Sequence, residues 1–73
     1  MNCNQDLTEI ELSVLFCLAQ GLSNEEIADK LFISIHTVKA HLEAIYDKLK
    51  VSNRVQAAMK AVILELVDLN VLK

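Results

Sequence analysis

The chain has 73 residues, one glycine, no proline, 53% hydrophobic residues and a formal net charge of −3. That length allows one domain with roughly two-thirds of its unfolded surface buried, so pairing or very good packing is expected. No apolar run approaches the roughly 18 residues of a membrane span, and the polar start Met1-Asn2-Cys3-Asn4-Gln5-Asp6 lacks the basic and apolar regions of a signal peptide. A protein without membrane contact, cytoplasmic by default, is the expectation.

Helix formers throughout, with one glycine and no proline, predict an all-α class with short connections. Residues 1–6 read as a flexible tail and residues 7–73 as the domain, with helices over about 8–20, 23–31, 34–49 and 53–68. In the first, Thr8 and Glu11 have capping-box spacing, and Leu7 with Leu12 has that of a hydrophobic staple. Val14, Leu15 and Leu18 supply an inner face, widened by Phe16 and Cys17. Gly21 suits the left-handed position that ends a helix.

The same signals recur at once. Ser23 and Glu26 form a second box, Leu22 and Ile27 a second staple, and Ile27, Ala28 and Leu31 an inner face. This helix is short, and Phe32-Ile33-Ser34 is a tight connection without the usual turn glycine. In the third helix, Ile35, Val38, Leu42, Ile45 and Leu49 recur at spacings of three and four, which sets them on one face. Ser34 stands at its N-cap, with Ile33 and Val38 as the staple. The opposite face carries His36, Lys39, Ala40, Glu43, Asp47 and Lys50. A short helix, a tight turn and a longer helix with an exposed polar face form the pattern of a helix-turn-helix.

Asn53 can cap the fourth helix, with Gln56 as its box partner. Ala57, Ala58, Ala61 and Leu64 could pack inward. Val55, Met59, Val62 and Leu66 form a separate apolar stripe, and a monomer's surface helix needs only one. That stripe is either core beneath an apolar C-terminal tail or a seam between two copies; the small size of the domain favours the seam.

Charge is unevenly placed. Residues 1–33 carry Asp6, Glu9, Glu11, Glu25, Glu26 and Asp29 against Lys30, a net −5. Residues 34–60 carry Lys39, Lys48, Lys50, Arg54 and Lys60 against Glu43 and Asp47, a net +3. The basic charge therefore gathers on the third helix and the start of the fourth. Cys3 and Cys17 read as two free thiols, and they make no metal site with His36 and His41. No cofactor is implied. No nucleophile stands near a base and no glycine-rich phosphate loop is present, so an enzyme is not expected.

Four blocks then stand in order: Leu7-Thr8…Glu11…Val14-Leu15; Gly21-Leu22-Ser23-Asn24-Glu25-Glu26-Ile27-Ala28; Leu31…Ile33-Ser34…Thr37-Val38-Lys39…His41; and Lys48-Leu49…Val51…Asn53-Arg54…Gln56-Ala57. Over about residues 7–61 the chain closely resembles the LuxR-type, GerE-like DNA-binding domain. The resemblance implies a four-helix fold whose third helix enters the major groove of duplex DNA and whose fourth pairs two copies. It also implies a bacterial transcriptional regulator, often the output domain of a response regulator, with RNA polymerase as a further partner. Met1 then begins either a short complete protein or a piece whose receiver or ligand-binding domain lies elsewhere.

Carried over residue by residue, the resemblance places Lys39, Ala40 and Glu43 at base edges. It places Ser23, Asn24, Ser34, Thr37, Lys48 and Arg54 near phosphates; with a fourth helix that pairs two copies, the stripe of Val55, Met59, Val62 and Leu66 read from spacing is the expected homodimer interface. Lysine can reach guanine acceptors and an alanine methyl can touch thymine. By spacing alone Lys39 is an ordinary solvated lysine, and Arg54 could equally pair with a carboxylate of the first or second helix. The chain departs from the family pattern at Ile10, often Arg; at Ala44, usually Asn; and at Glu43, often polar or basic. Glu43 either accepts from a cytosine amino group or weakens binding by repelling phosphate. Glu43, Asp47 and the overall acidity support an alternative reading, a helical protein-interaction module that has lost DNA affinity.

Overall fold

A computed structural model describes residues 7–63, which form α1 (Glu9–Ala19), α2 (Asn24–Leu31), α3 (Ile35–Leu49) and α4 (Arg54–Ile63). Among the described residues there is no strand. Each of the first three helices starts one residue later than its spacing suggested. The capping residues Thr8, Ser23 and Ser34 keep extended backbone, and each side-chain oxygen accepts the amide three residues on. Thr8–Glu11 and Ser23–Glu26 are complete capping boxes. At α4, Asn53 Oδ1 accepts from Gln56 N as expected. The Gln56 side chain differs from expectation: it accepts from the Ser52 amide, because the chain bends at Ser52–Asn53 and offers that group. The expected continuation of α4 to residue 68, with Leu64 and Leu66, lies outside the described residues.

The helix ends share one device. After α1, Gly21 N–H donates to Leu18 O and Leu22 N–H to Cys17 O, with Gly21 at φ 90°. After α3, Lys50 N–H donates to Asp47 O and Val51 N–H to Tyr46 O. After α2, Ile33 N–H reaches Ala28 O. The left-handed residue is Phe32 (φ 59°) after α2 and Lys50 (φ 60°) after α3, so two turns accept a strained non-glycine residue.

The core joins all four helices. Val14, Leu15, Cys17 and Leu18 of α1 meet Ile27 and Ala28 of α2, Val38, Leu42, Ile45 and Leu49 of α3, and Ala57 and Ala61 of α4. Ala58 and Leu31 are only half-buried. Ile35 departs from the expected inner face and is 39% exposed. It lies in the first turn of α3, where Ile33 from the preceding turn packs against the core instead. α3 contacts α1, α2 and α4, so its orientation is fixed from three sides.

Candidate nucleic-acid interface

The face of α3 turned away from the core carries five exposed side chains, His36, Lys39, Ala40, Glu43 and Asp47, and exposed Lys50 follows at its left-handed cap. This is the row that the spacing implied. It follows because Val38, Leu42, Ile45 and Leu49 take the opposite side of the same helix. His41 and Tyr46 are half-buried at its flanks. Ala40 leaves the middle of the row low, so a flat or grooved surface could approach the helix closely.

Two groups of expected phosphate-side residues come together. Ser34 Oγ and Thr37 Oγ1 lie 2.9 Å apart at the start of α3, and Thr37 N–H donates to Ser34 Oγ. At the second group, Arg54 Nη1 donates to Asn24 Oδ1 at 2.8 Å, and Arg54 Nη2 to the Leu22 carbonyl at 2.7 Å. The first residue of α4 is thereby clamped to the entry of α2, beside Ser23. Arg54 pairs with an amide and a carbonyl, not with a carboxylate.

Lys48 lies elsewhere. Its ammonium donates to Glu11 Oε1 at 2.6 Å, the only salt bridge among the described residues. The same Glu11 oxygen closes the α1 capping box. Glu11 is only 5% exposed, and burial alone would raise its pKa. The hydrogen bonds from Lys48 and Thr8 outweigh that, so the carboxyl lies below its ordinary value. Lys60 is also turned inward, donating to the Leu49 carbonyl at 2.7 Å, where it caps the negative end of α3. Of the five cations between residues 34 and 60, Lys39 and Lys50 alone make no such bond among the described residues. Glu11 as the anchor of Lys48 was not legible from spacing, because 37 residues separate the pair.

On the outer side of α4, Val55 is 64% exposed, Met59 59% and Ile63 73%. Val62 is half-buried against the core. The exposed apolar row therefore runs Val55–Met59–Ile63, with Ile63 as a member that the spacing had not singled out. Cys17 is a free, buried thiol whose pKa burial raises. Among the described residues no three His, Cys, Asp or Glu side chains gather where they could hold a metal ion, and no helix is long and apolar enough to cross a membrane.

A capped two-turn helix, a tight left-handed turn and a longer helix with a bare polar face, all in a four-helix frame, define a helix-turn-helix domain. Residues 5–61 match the family described as bacterial regulatory proteins, luxR family (GerE). The transcriptional regulatory protein LiaR of Bacillus subtilis (strain 168) is 48% identical over 58 residues, which is 80% of this chain and 28% of LiaR. The transcriptional regulatory protein LnrK of the same organism is 53% identical over 57 residues, 78% of this chain and 26% of LnrK. The crystal structure of the response regulator ChrA, of a heme-sensing two-component system, superposes with a TM-score of 0.82 at 49% identity. That superposition covers 86% of this chain and 31% of ChrA. The chain belongs to the LuxR family of bacterial regulatory proteins. It spans between a quarter and a third of the length of these three relatives.

Proposed function

We propose that this chain is the DNA-binding domain of a bacterial transcription regulator. It inserts residues 35–45 of α3 into the major groove of duplex DNA, and two copies pair through α4. The observation that carries the reading is the bare row on α3, with Lys39 and Ala40 outward on a helix held from three sides in a LuxR-family fold. Lys39, Ala40 and Glu43 face base edges; Ser23, Asn24, Ser34, Thr37 and Arg54 lie along phosphates. Lys48 is given a different part. Bound to Glu11, it fastens the end of α3 to α1 and sets the angle at which the row is presented.

Pairing rests on Val55, Met59 and Ile63, with Val62 at the margin; Leu66 lies outside the described residues. Three large apolar side chains on one face of a small domain favour cover by a second copy. Receiver or ligand-sensing domains, and RNA polymerase, are further partners suggested by the longer regulators that the chain resembles.

Amide chemical-shift mapping tests the reading. Titration with duplex DNA should move resonances of residues 23–24 and 34–47 and leave the outer face of α4 unmoved. Shifts confined to α4, or none, would contradict it and favour a protein-interaction module. Met59→Glu should leave a folded monomer by sedimentation; a dimer that survives this change places the seam elsewhere.

A further inference from the structure

We infer that Glu43 selects cytosine, so the chain's half-site carries a required cytosine within about two base pairs of the base that Lys39 reads. This rests on the DNA reading above and names the sequence element that the same site recognises. Glu43 is exposed on the outward row of α3, one turn beyond Lys39 and next to the small Ala40. Among the described residues it has no hydrogen-bond or ion-pair partner; the one salt bridge joins Lys48 to Glu11. Its carboxylate thus has no task inside the fold.

The surrounding charge sharpens the argument. Lys48, Arg54 and Lys60 are all turned to partners within the domain. Lys39 therefore shares the outward row with Glu43 and Asp47, and Lys50 stands at the cap beyond it. A row with that balance gains little from phosphate attraction in general, so its discrimination rests on base contacts.

An ionised carboxylate can only accept hydrogen bonds. In the major groove, cytosine N4 is a donor without a neighbouring acceptor on its own base, whereas the adenine N6 donor adjoins the N7 acceptor, which repels a carboxylate. Guanine and thymine present acceptors, so they reject it outright. Lys39, donor-only, takes the complementary choice at guanine O6 and N7. Residues four apart on a helix are about 6 Å apart along its axis, which matches about two base-pair rises. Lys39 and Glu43 can therefore read a guanine and a nearby cytosine together.

Selection from a random duplex pool tests this, with the full chain, Glu43→Gln and Glu43→Ala in parallel and circular dichroism to confirm that each is folded. The native chain should select one position as cytosine, with about 5- to 150-fold preference over other bases in competition binding. Glu43→Gln should move that position to adenine, because an amide offers a donor and an acceptor side by side. Glu43→Ala should lose the preference there and keep the rest of the site. If both variants bind every sequence more tightly and select the native site unchanged, Glu43 is only repulsive and the assignment fails. A native chain that selects no sequence at low salt overturns the DNA reading and this assignment with it.

Discussion

α3 and α4 are each held by one face and bare on the other, yet the bare faces have opposite chemistry. On α3, buried Val38, Leu42, Ile45 and Leu49 back a row of charged and small residues. On α4, buried Ala57 and Ala61 back a row of Val55, Met59 and Ile63. The difference teaches what each face is chemically fitted to meet: in the proposed function, DNA at the first and a second copy at the second. It also explains the small buried residues of α4: alanines bring that helix close to the core and leave its large side chains outside.

The comparison can be broken at its root. Ile45 is fully buried, and Ile45→Ala should destabilise the fold by about 2–5 kcal/mol by urea unfolding. Both bare faces should be lost together. Persistence of one of them would mean that the two helices are not held by one core.

Glu11→Ala comes next. It removes the partner of Lys48 and half of the α1 capping box, and a loss of about 2–3 kcal/mol is expected. The Glu11 carboxyl is held below its ordinary value, so its contribution is fully present above that value and is lost as pH falls through the lowered one. The native chain should therefore lose stability relative to Glu11→Gln below about pH 4 in thermal melts. Parallel curves for the two proteins would show that the ion pair contributes nothing.

Binding to DNA separates two cations that both have partners within the domain: Arg54, on a neutral amide and carbonyl, keeps its charge for phosphate, and Lys48, on the Glu11 carboxylate, does not. Arg54→Ala should weaken all sequences alike and flatten the slope of log affinity against log salt by about one. Lys48→Gln should leave that slope unchanged, since Lys48 already serves Glu11. A slope that falls for Lys48→Gln would assign it a phosphate after all. The smallest effect is expected at Phe32, which is 93% exposed in a left-handed conformation. Phe32→Gly should stabilise by about 0.5–1 kcal/mol, raising Tm by about 2–8 °C. A lower Tm would show that the ring packs on something.

Much of this was legible in the sequence. Capping signals at Thr8, Ser23, Ser34 and Asn53 fall within a residue of the observed helix starts, because capping is a local bond over three positions. The outward row of α3 was legible for a similar reason: helical period alone decides it. Ile35 was not, since periodicity says which side a residue faces but not whether the core extends that far. The partners of Lys48, Arg54 and Lys60 were not legible either. Each is a contact between segments distant along the chain, and the choice between a phosphate and Glu11 depends on how α1 and α3 pack. The blocks of the family pattern supplied the candidate interface; packing pairs three of its neighbouring cations within the domain.

The most direct test of the DNA reading is fluorescence anisotropy against a random-sequence duplex pool at low and physiological salt, with Lys39→Ala beside the native chain. Affinity that falls with salt, and falls again on loss of Lys39, is the predicted result. No binding at low salt, or binding indifferent to Lys39, would contradict it and make the outward row of α3 a surface for protein.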